Sequence, residues 1–127
     1  MTDPVTDPVT DPVTRPAPAS LPAPPYYAVV FTAVRTAGDN GYAEADERLM
    51  KLATDQPGFL GVDSARGTDG LGITVSYWRD EDSIAAWRNH AEHVLVRAQG
   101  REQWYASLSV HVAKVERAYG STRPADR

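Results

Sequence analysis

From Tyr26 to Arg35 the chain reads Tyr-Tyr-Ala-Val-Val-Phe-Thr-Ala-Val-Arg, β-branched and aromatic with apolar residues in both alternating phases. Such a run fits a strand inside a sheet, buried from both sides. Gly38-Asp39-Asn40-Gly41 breaks it, and Asp39 or Asn40 can cap a helix by accepting a hydrogen bond from a free amide. Helical spacing follows from Tyr42 to Gln56: Tyr42, Ala45, Leu49 and Leu52 form one stripe, with Glu44, Glu47, Arg48 and Lys51 largely off it. Pro57-Gly58 stops that helix. Phe59 to Ala65 alternates as a strand, with Phe59, Gly61 and Asp63 on one side and Leu60, Val62 and Ser64 on the other. Gly67-Thr68-Asp69-Gly70 has hairpin chemistry. Leu71 to Arg79 returns, with Leu71, Ile73, Val75 and Tyr77 alternating with Gly72, Thr74, Ser76 and Trp78. Asp80 can cap a second helix, and Asp80, Glu81 and Asp82 place negative charge at its electropositive end. Ile84, Trp87, Ala91, Val94, Leu95 and Ala98 make its stripe; Gly100 ends or bends it. After a turn over 101–104, Tyr105 to Arg117 is the last strand.

This order, strand-helix-strand-strand-helix-strand, predicts an α+β fold of ferredoxin-like type: a four-stranded antiparallel sheet with both helices on one face. Several strand residues pointing away from the helices are apolar, so the bare face needs a cover. A second copy packing sheet to sheet is the simplest one, which predicts a homodimer. The domain spans 26–120, and 121–127 is a polar tail. Residues 2–13 repeat Thr-Asp-Pro-Val three times, and Pro16, Pro18, Pro22, Pro24 and Pro25 follow. Proline lacks an amide hydrogen and holds its predecessor extended, so 1–25 reads as an extended or disordered tail, either dispensable or a docking segment.

Composition narrows the function. The formal net charge is -4, from 13 Lys+Arg against 17 Asp+Glu, which opposes a nucleic-acid role built on phosphate neutralisation. There are no cysteines, so disulfides and thiolate metal sites drop out. Apolar runs are too short to span a bilayer, and the start does not read as a secretory signal, so the cytoplasm is the expected location and no membrane partner is expected. A packing unit of about 95 residues has a high surface-to-volume ratio, which again favours association.

Candidate chemistry gathers in Trp87-Arg88-Asn89-His90-Ala91-Glu92-His93 and Gly100-Arg101-Glu102-Gln103-Trp104-Tyr105, in a chain with three histidines and three tryptophans. His90 falls at the border of the helix stripe, and His93 lies further round beside Arg97. Either imidazole could contact a ligand or transfer a proton at neutral pH; the plainer alternative is a boundary histidine bonded to backbone. The pair is spaced too closely for a His-Glu-x-x-His zinc motif. His111, on the last strand, reads as surface or interface. Trp78, Trp87 and Trp104 are core residues by default, yet a ring beside polar groups also suits a planar aromatic ligand. Tyr77 and Tyr105 could donate to a carbonyl or phenolate. The glycine-rich turn joins two strands rather than opening a helix, so it is no phosphate cradle.

Several stretches together resemble the antibiotic biosynthesis monooxygenase family of dimeric α+β barrel proteins. They are Gln56-Pro57-Gly58-Phe59-Leu60-Gly61, Gly72-Ile73-Thr74-Val75-Ser76-Tyr77-Trp78, Asp80-Glu81-Asp82-Ser83-Ile84-Ala85-Ala86-Trp87, the His90/His93 pair and the Trp104-Tyr105 motif. The likeness covers Tyr26 to Tyr119 and is nearest to a small, mostly uncharacterised bacterial subgroup. It implies homodimers with sheets face to face and a cleft between helices and sheet, lined here by some of Tyr27, Phe31, Trp78, Trp87, His90, His93 and Tyr105. Quinone-forming members oxidise polycyclic phenols with molecular oxygen and no cofactor. By that resemblance this chain would deprotonate an electron-rich aromatic with His90 or His93 as base. Heme-degrading members share the position of Trp87, but this sequence has Arg97 where their heme-ligating histidine lies. Three readings stay open: a cofactor-independent monooxygenase acting on a phenolic or other electron-rich aromatic, a dimeric ligand-binding or stress-associated protein, and an isomerase or decarboxylase on the same scaffold.

Overall fold

The doubly apolar run does lie inside a sheet. A computed structural model of the chain describes residues 16–98 and 103–123, with 96–98 described by backbone alone. The elements are β1 (Tyr26–Arg35), α1 (Tyr42–Thr54), β2 (Phe59–Arg66), β3 (Leu71–Trp78), α2 (Glu81–Ala98) and β4 (Tyr105–Val115). The sheet order is β2-β3-β1-β4, every neighbour antiparallel. This is the expected ferredoxin-like topology, with element ends moved by one or two residues.

Register decides which side chains meet the helices. Val29, Phe31 and Ala33 of β1 stand opposite Ser76, Thr74 and Gly72 of β3, and opposite Val112, Val110 and Leu108 of β4. Because side chains alternate across a strand, this set shares the helix-facing side. One departure from strict alternation occurs in β2. Phe59 pairs with Trp78 and Gly61 with Tyr77, so Leu60 is an extra residue in a bulge. The bulge turns Phe59 onto the face of Val62, where it packs edge-on against Trp78. The expected grouping of Phe59 with Gly61 and Asp63 therefore does not occur.

Local chemistry sets both helix starts. Gly41 occupies the N-cap of α1 at φ 82°, a conformation that favours glycine. Asp39 still supplies the oxygens: its carboxylate accepts from the amides of Gly41 (3.0 Å) and Ala43 (3.1 Å). Asp80 caps α2 as expected, accepting from the Ser83 amide (2.8 Å) and hydroxyl (2.7 Å). Those hydrogen bonds hold the Asp80 carboxyl below its ordinary range. Gly58 sits against this helix start at φ 87°, where a Cβ would lie 2.0 Å from the Ser83 hydroxyl oxygen. Only glycine lets the turn after α1 pack this close.

Burial concentrates at the two ends of the helical layer. At one end Tyr42, Ala45 and Trp104 form a cluster joined by Leu95 and Tyr105. At the other, Ala53, Trp78 and Ile84 pack with Tyr27, Val29, Phe59 and Trp87. The helices rest on these two aromatic blocks, and the space between them is not filled by side chains.

The opposite sheet face is partly covered by the chain itself. Within 16–25, Ala19 and Leu21 lie on β2, where a Cβ at Gly61 would come within 3.2 Å and 3.0 Å of their side-chain carbons. The Ala19 amide donates to one oxygen of Asp63 (2.8 Å), and the Tyr77 hydroxyl donates to the other (3.1 Å). Tyr26, edge-on to Tyr77 at 5.9 Å, is buried, as is Ala28. Ala19 and Leu21 thus strap this extended segment onto the sheet, while the Thr-Asp-Pro-Val repeats lie outside the described residues. Removing residues 1–22 strips Asp63 of a charge-assisted hydrogen bond, and is expected to lower the unfolding free energy by about 1–3 kcal/mol. Urea denaturation of the truncated and full chains measures this; coincident curves would refute it. No helix among the described residues is long and apolar enough to cross a membrane.

Candidate active site in the helix–sheet cleft

The unfilled space between the aromatic blocks is a cleft of about 520 Å³, within the range that takes small organic molecules. Phe31, Val110 and Val112 make its floor, with Leu49 and Met50 of α1 and Trp87 and Ala91 of α2 above. Beyond Tyr105, which packs on Tyr42, the edge strand β4 is left largely uncovered by the helices. Val110 and Val112 are 51 % and 52 % exposed although they point to the helix side, so the cleft opens along that edge.

Polar groups are not spread evenly over the lining. At the end formed by the start of α1 and the outer ends of β1 and β2, Arg35 and Arg66 converge on Tyr42. The Arg35 guanidinium carbon lies 3.6 Å from the Tyr42 ring centroid, and that of Arg66 lies 5.2 Å away. Arg66 donates to the Tyr42 hydroxyl at 2.6 Å. Arg35 is anchored by backbone, through Nε to the Trp104 carbonyl (3.0 Å) and Nη2 to the Gly38 carbonyl (3.1 Å). Tyr105 borders the same end, edge-on to Phe31 at 5.6 Å and to Tyr42 at 6.1 Å. Burial, reinforced by nearby Tyr42 and Asp46, pushes the Tyr105 hydroxyl up to about 12, against the opposing pull of Arg35 and Arg66. At neutral pH it is therefore a proton-bearing donor.

The middle of the cleft is less polar. On the sheet side Thr74 shares a 2.9 Å hydrogen bond with Ser64, and Ser76 accepts the Trp78 indole N–H at 2.9 Å. On the helix side Arg88 and Glu92, one turn apart on α2, both line the space, and Glu92 is half-buried.

Of the residues nominated from sequence, Phe31, Trp87 and Tyr105 line the cleft. Trp78 does not. It is fully buried behind Trp87, whose ring stacks on it at 6.1 Å, and so supports the wall rather than forming it. Tyr27 packs into that same block. Tyr77 lies on the opposite sheet face, held by Asp63. His90 and His93 are exposed and neither borders the cleft. The cause is the rotation of α2. Ile84, Trp87, Arg88, Ala91, Glu92 and Leu95 face the space, an arc centred between Trp87 and Arg88. At 100° per residue, His90 stands about 130° from that centre and His93 about 170°. A stripe centred on Trp87 and Val94 places His90 at the border; the observed arc is turned toward Arg88 and Glu92 instead. The side chain of Arg97 and all of Gly100, Arg101 and Glu102 lie outside the described residues. His111 is exposed, as expected.

Sequence reasoning did not place Arg35, Tyr42, Arg66 or Glu92 on the cleft lining. A signal for Arg35 was present: it continues the Phe31-Ala33 phase of β1, and it lines the cleft even though the pairing with β4 shifts register between Val34 and Arg35.

The topology, with the cleft lying between sheet and helices, defines a class. Residues 25–99 match the antibiotic biosynthesis monooxygenase family, and the chain belongs to it. Its relatives include an uncharacterized protein of Bacillus subtilis (strain 168), YqjZ, 56 % identical over 96 residues that cover 76 % of this chain and 84 % of YqjZ. Among solved structures, PA3566 from Pseudomonas aeruginosa matches with a TM-score of 0.58 at 18 % identity, covering 76 % of this chain and 98 % of that one. SnoaB, a cofactor-independent oxygenase from Streptomyces nogalater, matches at 0.58 and 11 % identity over 82 % of this chain and 100 % of its own. At these identities the two structures are alike in fold.

Proposed function

We propose that this protein is a cofactor-independent monooxygenase that oxidises an electron-rich, phenolic aromatic in the helix–sheet cleft, acting as a cytoplasmic homodimer. The observation that carries this reading is a cleft of about 520 Å³ with aromatic walls and a half-buried carboxylate, Glu92, on its lining. Family membership and the fold shared with an oxygenase support it. Among groups on the lining, Glu92 takes the base role that sequence reading assigned to His90 or His93.

The chemistry needs little from the protein beyond binding, a base and apolar walls around the reacting carbon. Glu92 accepts a proton from an activated C–H of the bound ring system. The resulting carbanion passes one electron to oxygen, and the substrate radical and superoxide combine as a peroxide. The peroxide recovers the proton, then loses water to leave a carbonyl. In sum, a CH2 group and O2 give C=O and H2O, with all four electrons drawn from the substrate. The apolar walls screen charge less than water does, which strengthens the interactions that stabilise the anion beside them.

The dimer proposal rests on the sheet face away from the helices. Leu71 and Ile73 are exposed there beside Val30 and Val34. The strap covers the β2 side, so a second copy would meet the remainder. Oxygen uptake with an anthrone-like phenol, in the absence of added flavin or metal, tests the enzyme reading. Uptake matched by formation of the ketone is expected. Saturable binding with no uptake across a broad phenol panel would instead establish a ligand-binding protein.

A further inference from the structure

We propose that the Arg35–Tyr42–Arg66 end of the cleft is an anion subsite, and that the substrate is an aromatic carboxylic acid whose carboxylate docks there while its rings run toward Trp87. This deepens the oxygenase reading and rests on it for the word substrate; the subsite itself rests on geometry.

Two cations converge on one phenol, within 3.6 Å and 5.2 Å of its ring centre. Both guanidiniums line the same end of the cleft, and an anion docked there would offset their converging positive charge. Among the described residues neither guanidinium has a carboxylate at ion-pair distance. Asp46 borders the same end and helps raise the Tyr105 hydroxyl, but it forms no ion pair with either guanidinium. Arg35 spends Nε and Nη2 on backbone carbonyls and Arg66 spends one Nη2 donor on Tyr42, which leaves further N–H donors on both guanidiniums.

Their aim is fixed rather than incidental. Gly72, opposite Arg66 in the ladder, has no side chain, and the Arg66 guanidinium lies over it: a Cβ there would be 3.5–3.7 Å from its Cζ, Nη1 and Nη2 atoms. Trp104, itself buried and tied through its indole N–H to the Asn40 carbonyl, presents the backbone oxygen that holds Arg35. Tyr105 keeps its proton at neutral pH and adds a neutral donor beside the pair. Planar, forked guanidinium donors match a carboxylate better than a single hydroxyl, since both carboxylate oxygens can be engaged.

Length sets the rest of the molecule. From the level of Gly72 to that of Ser76 is four residues of β3, about 13 Å at strand rise. That span carries a ligand of roughly three fused rings from Arg66 past Phe31 to the Trp87 end of the cleft.

Anthracene-2-carboxylate and its methyl ester differ in charge at one end and have no oxidisable CH2 in the rings, so binding is read without turnover. Titration of the full chain, followed by tryptophan fluorescence, is expected to show the carboxylate bound about tenfold or more tightly than the ester. The chain's net charge of -4 works against this preference, so general electrostatic attraction cannot produce it. Arg66→Gln should abolish most of the preference with ester affinity nearly unchanged, and Arg66→Lys should restore part of it. Equal affinity for the two ligands in the wild type, or a preference that survives Arg66→Gln, overturns the subsite. A carboxylate preference without oxygen uptake on phenols keeps the subsite and removes the oxygenase; uptake without the preference does the reverse.

Discussion

Glu92→Gln is expected to lower the turnover number for oxygen uptake by about 10²-fold or more, with little change in KM. Glutamine keeps the shape and can still hydrogen-bond, but it cannot accept the substrate proton. A general base contributes on the order of 10²–10⁴ to rate, so the loss should be visible even over a slow background. His90→Ala and His93→Ala carry the contrasting expectation. Both rings are exposed and off the cleft lining, so each change should alter uptake by less than about twofold. Steady-state kinetics on the three variants separates the two assignments. A Glu92→Gln enzyme at wild-type rate, or a collapse of rate in His90→Ala, would return the base role to the exposed face of α2.

Trp78→Ala is expected to cost about 3–5 kcal/mol, the range for truncating a buried large aromatic. Trp78 has no exposed surface. Its ring is packed edge-on by Phe59 at 5.4 Å and stacked by Trp87 at 6.1 Å, and Ala53, Ile84, Tyr27 and Val29 complete the block. Few neighbours can collapse into the space, since α1, β2, β3 and α2 all converge there. A small domain holds only about 5–15 kcal/mol in total, so this single change consumes a large share of it. Trp87→Ala removes a half-buried ring on the lining, and should cost less stability but more ligand affinity. Urea unfolding gives both values; a loss under 1 kcal/mol for Trp78→Ala would mean the two-block description of the core is mistaken.

The fold was legible because its signals are local. Apolar phase in Tyr26–Arg35, turn chemistry at Gly67–Gly70 and the acidic start of α2 each specify an element without reference to distant residues. The site was less legible because it depends on rotation and on pairs far apart in sequence. Arg35 and Arg66 share Tyr42 only because the sheet brings the ends of β1 and β2 to the same end of the cleft. A small rotation of α2 exchanges a histidine for Glu92 at the cleft, and the apolar stripe alone is too broad to fix that angle. Tyr77 shows a different limit. Its alternation with Trp78 already placed the two on opposite faces, so both could not serve one cleft, but it took the strand register and the Asp63 and Tyr26 contacts to show which face Tyr77 occupies. The strap escaped notice because proline-rich composition carries no sign of the Asp63 carboxylate that receives the Ala19 amide.

The most direct test of the cleft as the binding site is an amide chemical-shift map of the full chain titrated with an aromatic carboxylate under nitrogen. Binding in the cleft predicts shifts concentrated at Phe31, Arg66, Thr74, Ala91 and Tyr105, which surround it on both sheet and helix sides. Shifts confined to the His90 and His93 side of α2, or to the face of the sheet that carries Tyr77, would contradict it.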